Sequence, residues 1–166
     1  MKFPAISTAL ALGAFLISTG STAATPQPVP EAAAADGCTG PVSPIKLFVN
    51  VTGVNAAKGL IAVSLYADNS SKFLAKKGSL YVGRVSARAP TTRVCIHVPT
   101  TGTYAIAVYH DADGDRKFKR SGIGLPAEGY GFSNNPGTLF GLPAFSKVRI
   151  SVARTNTQTT VKLKYP

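Results

Sequence analysis

Three aspartates spaced two residues apart are the residues of this sequence whose type and spacing are best suited to chemistry. Asp111, Asp113 and Asp115 directly follow an apolar run. In a curled loop this spacing lets alternate carboxylates converge, and hard cations such as Ca²⁺ take several carboxylate oxygens as ligands. Glu128 would complete such a site where the loop folds back. The sequence therefore predicts calcium as a candidate cofactor, with Asp111, Asp113, Asp115 and Glu128 as its ligands.

The same segment has a second interpretation that needs no metal. It is not an EF-hand, because Gly114 comes one carboxylate early and Gly122 stands where a closing glutamate is expected. A turn rich in Asp and Gly is also held by side-chain-to-backbone hydrogen bonds. The basic run at residues 116–120 would then neutralise the aspartates. The sequence favours this hydrogen-bonded turn over the metal site, and both interpretations stay open.

His110 ends the apolar run beside Asp111 and is the candidate for acid–base chemistry. As a general base oriented by Asp111 or acting with Glu128, it would make the protein a hydrolase or an isomerase. The other interpretation is a histidine at a strand end that is hydrogen-bonded into the loop. No zinc spacing, phosphate-binding loop or nucleophile elbow occurs in the sequence. The sequence therefore favours a structural His110 and no catalytic residue.

A stretch rich in glycine and aromatic residues follows, reading GYGFSNN at residues 129–135. Its aromatic side chains suit stacking on a sugar or a peptide, or else they anchor the loop in the domain's own core, which is the favoured interpretation. A partner of this loop would be a cell-envelope protein or a glycan. The predicted binding loop comprises His110, Tyr130, Phe132, Asn134 and Asn135.

These residues need a scaffold, and the hydrophobic pattern predicts that it consists of strands. Apolar and polar residues alternate through much of the chain, which is the period of half-buried strands. One run, residues 104–109, is apolar on both faces and is typical of a central strand. The other predicted strands cover residues 45–52, 59–66, 80–86, 92–98, 148–152 and 161–165.

About seven short strands and no convincing helix predict an all-β fold. Their number and spacing are typical of an antiparallel β-sandwich of immunoglobulin-like or transthyretin-like type, with a small barrel as the alternative. The length of 166 residues allows one such domain, predicted at residues 45–166. Residues 25–44 are rich in Pro and Ala and are predicted to be a flexible linker.

The N-terminus has the features of a cleavable export signal. Lys2 gives a positive start, residues 9–17 are apolar, and small residues follow at positions 21–24. The apolar run is shorter than the roughly 20 residues that a transmembrane helix needs. We expect a signal peptide at residues 1–24, a periplasmic or secreted protein, and no transmembrane segment after cleavage.

Export decides how the cysteines are interpreted. Cys38 and Cys95 are the two cysteines of the chain, and an even pair in an oxidising compartment predicts a disulfide bond. A bond between them would attach the N-terminal segment to the body of the domain.

The chain is strongly basic, with a net charge of +11. Such a surface attracts phosphate-rich partners or an anionic membrane surface. Nucleic-acid binding requires concentrated basic residues with interleaved aromatics, and only residues 116–120 come near that pattern. We therefore predict no nucleic-acid partner and a solvated basic surface.

Three motifs in fixed order resemble a family of secreted bacterial proteins, domain of unknown function 2141. They are YHDADGD at residues 109–115, GLPAEGYGFSNN at residues 124–135 and FGLPAF at residues 140–145. The resemblance covers residues 45–165 and implies a periplasmic β-sandwich, with no known activity. The family usually has Leu-Asp where this chain has Phe118-Lys119, so a cation replaces a potential acidic ligand.

These observations predict an exported, non-enzymatic β-sandwich that acts as a binding or cell-envelope accessory module. The loop at residues 110–135 would be its recognition surface or a calcium-stiffened scaffold. The alternatives are the hydrolase or isomerase built on His110 and a purely structural domain that needs no ligand.

Overall fold

The computed structural model describes residues 37–137 and 142–166, which belong to one compact unit, Glu31–Pro166. The predicted signal peptide and residues 25–36 of the predicted linker lie outside the described residues. No helix in the described part of the chain is long and apolar enough to cross a membrane. The elements are β1 (Ile45–Thr52), β2 (Leu60–Ala67), β3 (Tyr81–Ser86), β4 (Thr91–Val98), β5 (Gly102–Asp111), β6 (Gly129–Phe132), the helical turn α1 (Phe145–Val148), β7 (Arg149–Val152) and β8 (Thr157–Lys162).

The strands form two sheets that pack face to face. Sheet A has the order β4-β1-β8, with β1 antiparallel to β4 and parallel to β8. Sheet B has the order β3-β2-β5-β6, and all of its pairs are antiparallel. The strand β7 also pairs with β5, next to Gly102–Ala105, while β6 pairs with the later half of β5. The predicted antiparallel β-sandwich is confirmed, with eight strands in the described residues.

The alternation of the sequence explains which faces are buried. Every second residue of β1, β2, β4 and β5 lies between the two sheets, and nearly all of these residues are apolar, Thr92 and His110 being buried polar exceptions. Burial of apolar side chains is the main stabilising contribution there. The inward-facing residues include Leu47, Val49, Val51, Ile61, Val63, Leu65, Val94, Ile96, Val98, Ile106 and Val108, all at most 2% exposed. The predicted core faces of these four strands are therefore confirmed.

A second apolar cluster covers the outer face of sheet B. It contains Ala105 on β5 together with Tyr66, Phe132 and Val148, and Phe73 packs against it from the loop between β2 and β3. The Phe73 ring lies edge-on to Tyr66, with ring centroids 5.2 Å apart. Because both faces of β5 are covered, its sequence is apolar on both faces, as expected for a central strand.

The strand β6 joins the two sheets along one side of the sandwich. Gly129 and Gly131 face sheet A, where a Cβ would lie 2.3 Å from the Tyr165 ring and 2.7 Å from the Lys162 carbonyl oxygen. Tyr130 exchanges two backbone hydrogen bonds with Lys164, of 2.9 and 2.8 Å. These glycines were predicted to lie in a loop, whereas the structure places them in a strand. Glycine is needed at both positions because the C-terminal residues approach the backbone of β6 too closely for a Cβ atom.

The N-terminal segment closes the sandwich beside β4. Cys38 forms a disulfide bond with Cys95, which confirms the predicted pair. Thr39 donates its N–H to the Cys95 carbonyl, and His97 donates its N–H to the Thr39 carbonyl, both at 2.9 Å. Ser43 Oγ donates to the Val98 carbonyl at 2.6 Å. Residues 38–40 and Ser43, although part of the predicted linker, are therefore packed on the fold, while Pro41 and Val42 are exposed.

Candidate functional site

The aspartate loop begins at the end of β5 with a fully buried carboxylate. Asp111 is 0% exposed. Its Oδ1 accepts the Gly114 N–H and its Oδ2 accepts the Arg116 N–H, both at 2.8 Å. Hydrogen bonds from backbone N–H groups offset much of the cost of burying an ionised carboxylate. Asp111 thus stabilises the tight turn that follows the strand.

Lys119 bridges the two remaining aspartates of the loop. Its ammonium group forms an ion pair with Asp113 Oδ2 and a second with Asp115 Oδ2, the latter at 3.2 Å. The three carboxylates each have an oxygen within 4.8 Å of the others. The predicted convergence of Asp111, Asp113 and Asp115 is therefore present, with a lysine contributing the positive charge.

Glu128 belongs to the same loop but not to this group of three carboxylates. Its Oε2 accepts the Lys119 N–H at 3.0 Å. Burial raises the pKa of Glu128, and the negative charges of the three aspartates raise it further. Glu128, predicted as the fourth calcium ligand, thus accepts a hydrogen bond from the backbone of Lys119 in this structure.

Opposite pKa shifts of two carboxyls in this loop are the first testable consequence. The hydrogen bond from Lys119 lowers the pKa of Asp113, so its carboxylate stabilises the fold above about pH 3.9, and this contribution is lost as pH falls through the lowered pKa. Burial raises the pKa of Glu128, so this carboxyl stabilises the fold when it is protonated, below about pH 4.3. That contribution is lost as pH rises through the raised pKa. Carboxyl ¹³C NMR titration should show Asp113 titrating below Glu128 by more than their ordinary separation.

The titration of Asp113 in the Lys119→Met variant is compared with its titration in the wild type. The substitution should return the pKa of Asp113 toward its ordinary value, because the strongest cause of the lowering is removed. Lys117→Met is the matched control, since Lys117 contributes only its backbone N–H to Asp115. An Asp113 titration that is the same in the wild type and in Lys119→Met would contradict the bridge.

Calcium binding is the second testable consequence, and it depends on the same lysine. A cation at this site must compete with the Lys119 ammonium for the oxygens of Asp113 and Asp115. We expect millimolar calcium to raise the melting temperature of Lys119→Met more than that of the wild type. A ligand of the native state stabilises it by about 2.7 kcal/mol at 100 times its dissociation constant. A calcium response of the wild type that Lys119→Met does not exceed would contradict this expectation.

His110 lies at the end of the intersheet core, on the face opposite to the outer surface of sheet B. It is 1% exposed. Its Nε2 donates to the Lys58 carbonyl at 2.8 Å, which leaves Nδ1 to accept the Tyr165 hydroxyl proton at 2.8 Å. The Tyr165 oxygen in turn accepts the Asn55 N–H at 3.2 Å. Both ring nitrogens thus have partners within the protein, the arrangement of a structural histidine.

The two asparagines of the predicted binding loop hold the sandwich together. Asn134 Nδ2 donates to the Arg149 carbonyl of β7 at 2.8 Å. Asn135 Nδ2 donates to the Thr160 carbonyl at 3.0 Å, and its Oδ1 accepts the Lys162 N–H at 2.6 Å. The Asn135 amide therefore pairs with the edge strand β8 in the manner of a neighbouring strand. Neither side chain lines the aromatic groove on the outer face of sheet B.

An aromatic groove of about 210 Å³ opens on the outer face of sheet B. Its floor consists of the small residues Ser64 on β2 and Ala107 on β5, whose side chains point away from sheet A. Its walls come from β2, β5 and β6 and from the segments that follow each of these strands. The lining residues are Ser64, Tyr66, Leu74, Ala107, Val108, Tyr109, Phe118, Arg120, Pro126, Tyr130, Phe132 and Leu142.

Consecutive aromatic rings run along this groove. The centroids of Tyr109 and Phe118 are 5.5 Å apart, those of Phe118 and Tyr130 are 6.5 Å apart, and those of Tyr130 and Phe132 are 6.0 Å apart. Burial raises the pKa of the Tyr109 phenol further above neutral pH, where a tyrosine is already protonated and can donate a hydrogen bond. The Arg120 guanidinium lies 5.4 Å from the Phe118 ring. The groove thus combines aromatic side chains with a few polar groups.

Only part of this groove was predicted from the sequence. Tyr130 is half-buried and lines it, whereas Phe132 is 7% exposed and mainly packs in the second apolar cluster. Tyr66, Tyr109 and Phe118 were not predicted as lining residues. Tyr66 and Tyr109 belong to the strands β2 and β5, and Phe118 was considered only as part of the basic run at residues 116–120. The apolar outer face of β5 was the one signal that pointed to this surface.

Comparison with known proteins gives one match. The sequence pattern of a family described as an uncharacterized protein conserved in bacteria (DUF2141) matches residues 49–160, which is the greater part of the chain. No curated protein and no solved structure matches. The family that the three motifs predicted is therefore confirmed.

Proposed function

The chain belongs to the uncharacterized bacterial family DUF2141, and from its own geometry we propose that it is an exported, non-enzymatic module that binds a glycan of the cell envelope. The observation that carries the proposal is the aromatic groove on sheet B. Its small-residue floor leaves space that larger side chains would fill, and the rings of Tyr109, Phe118 and Tyr130 border that space.

The size and lining of the groove favour one sugar ring as the bound group. Sites that enclose drug-sized ligands measure roughly 300 to 1,000 Å³, so a groove of about 210 Å³ suits a single ring of a larger molecule. Aromatic faces pack against the apolar face of such a ring. The Tyr109 phenol and the Arg120 guanidinium supply donors for hydroxyl groups at the border.

The groove has no side chains suited to hydrolysis among the described residues. Glycoside hydrolysis typically needs two carboxylates that flank the scissile bond. No carboxylate, histidine or cysteine lines the groove in residues 37–137 and 142–166. His110 faces the intersheet core instead, and Asp111 and Glu128 accept backbone N–H groups. These contacts support binding over the hydrolase or isomerase alternative.

The proposed location in the periplasm or outside the cell has support from the disulfide bond. Disulfide bonds persist in oxidising compartments and are rare in the bacterial cytosol. The bond between Cys38 and Cys95 therefore agrees with the export signal predicted at residues 1–24.

Ligand-observed NMR on the oxidised, mature protein tests the groove. The probe is a mixture of muropeptides, the sugar-containing fragments of bacterial peptidoglycan. We expect saturation transfer to the sugar protons and a loss of affinity of about tenfold or more in Tyr130→Ala, because an aromatic face that packs on an apolar surface is removed.

Phe48→Ala is the matched control for this experiment. Phe48 is a half-buried aromatic on the outer face of sheet A, where the Arg93 guanidinium lies 4.2 Å from its ring centre. Its replacement should leave binding unchanged. Equal loss in Phe48→Ala and Tyr130→Ala, or no transfer at all, would contradict sugar binding in the groove. Release of cleaved product that His110→Ala abolishes would instead support the enzyme alternative.

A further inference from the structure

We propose that the border of the aromatic groove docks on the surface of an anionic lipid bilayer. Exposed large apolar side chains concentrate there. The described residues include six of them, and four belong to the groove or to the hairpin beside it: Leu74, Ile123, Leu125 and Leu142, called here the apolar rim. Monomeric proteins seldom group exposed apolar residues without an interaction partner.

The most exposed member of the apolar rim is presented at the tip of a small hairpin. Ile123 is 83% exposed. Ser121 donates its N–H to the Leu125 carbonyl, and Gly124 donates its N–H to the Ser121 carbonyl, both at 2.8 Å. The base is closed by a hydrogen bond of 3.0 Å from Ala127 N–H to the Lys119 carbonyl. A tip held in this way projects its side chain into solvent at little further entropic cost on binding.

Cations flank the apolar tip. Arg120 donates from a guanidinium nitrogen to the Gly124 carbonyl at 3.0 Å, which keeps its charge at the turn. Arg116 and Lys117 precede the hairpin with exposed side chains, and neither forms an ion pair with another described residue. The nearby acids Asp113 and Asp115 are paired with Lys119, which leaves the flanking cations to face solvent.

The rest of the domain adds a positive field. All of the 18 basic residues except Lys2 lie within residues 37–166, but only five of the seven acidic residues do. Four of those five are in the aspartate loop, and the fifth, Asp68, forms an ion pair with Arg149. These four acids lie beside the apolar rim, where Arg116, Lys117, Lys119 and Arg120 balance them, so the excess positive charge belongs to the rest of the domain. It includes the exposed Lys72, Lys76 and Lys77 in the loop that carries Leu74. An extended anionic surface is the charge complement of that excess.

A bilayer fits these features as a single partner. Interfacial binding increases with the apolar area that enters the headgroup region and with attraction to anionic lipids. The apolar rim supplies the apolar area, and the flanking cations supply the attraction to anionic lipids. The inference does not depend on a glycan in the groove, because Ile123 and Leu125 do not line it.

Vesicle co-sedimentation of the oxidised, mature protein tests the docking. Vesicles of phosphatidylcholine with phosphatidylglycerol in equal parts should bind the protein, and vesicles of phosphatidylcholine alone should bind it far less. Replacing both Ile123 and Leu125 by serine should weaken binding by about tenfold or more. Lys117→Gln should weaken it by about fivefold, and added salt should weaken it further.

Val42→Ser is the matched control, because Val42 is equally exposed, at 81%, and lies outside the rim. It should bind as the wild type does. Equal loss in Val42→Ser and the Ile123/Leu125 variant would overturn the proposal, as would equal binding to neutral and anionic vesicles. Absence of binding to either vesicle would also overturn it. Muropeptide binding is measured without lipid, so its result is independent of this test.

Discussion

Serine in place of both Cys38 and Cys95 should lower the free energy of unfolding by about 4 kcal/mol. The bond joins residues 57 positions apart, and the entropy that such a loop loses on closure in the unfolded chain accounts for this magnitude. The bond also holds Thr39 in its two backbone hydrogen bonds with β4. Urea unfolding of the variant and the oxidised wild type, followed by circular dichroism, measures the difference.

Reduction of the wild type provides the control for this prediction. The reduced wild type and the double serine variant should unfold at similar urea concentrations, since both lack only the cross-link. Hydrogen exchange should then show early loss of protection at the His97 amide, which donates to Thr39. An unchanged unfolding midpoint in the serine variant would show that the segment at residues 38–43 is held without the bond.

His110→Ala is the second change with a large expected effect, a loss of about 3 kcal/mol in the free energy of unfolding. The substitution leaves a cavity at the end of the core, for which large-to-small changes cost about 2–5 kcal/mol. It also leaves the Lys58 carbonyl and the Tyr165 hydroxyl without their partner. Thermal and urea unfolding measure the loss, with assays of muropeptide binding in parallel.

Tyr165→Phe makes this prediction specific to the hydrogen bond. It removes the hydroxyl that donates to His110 Nδ1 and retains the ring that packs on Gly129. A double-mutant cycle of the two substitutions should give a coupling of about 1 kcal/mol. A His110→Ala protein of unchanged stability that loses a catalytic activity would refute the structural role and restore the enzyme hypothesis.

The aspartate loop shows what the spacing of neighbouring residues can predict. The spacing of Asp111, Asp113 and Asp115 predicted that their carboxylates converge, because an alternating spacing within one turn is a local property. The sequence also predicted that the basic run offsets their charge. It did not single out Lys119 as the bridge, because that contact depends on how the following residues fold back.

The stretch GYGFSNN shows what a local pattern leaves open. Asn135 pairs with β8, and Gly131 is required by the Lys162 backbone. In both cases the residue type is explained by a contact with a residue about thirty positions later in the chain. No feature of the stretch itself distinguishes a residue that approaches a ligand from one that approaches another strand.

The amino-acid sequence by itself determined the sandwich, its core faces and its disulfide pair. Alternation is a property of neighbouring residues, and two cysteines permit one pairing. Only the tertiary structure decided that His110 is enclosed by Lys58 and Tyr165, and that Tyr109, Phe118 and Tyr130 border one groove. These arrangements depend on strand order and register, which bring distant segments together through contacts that no single segment encodes.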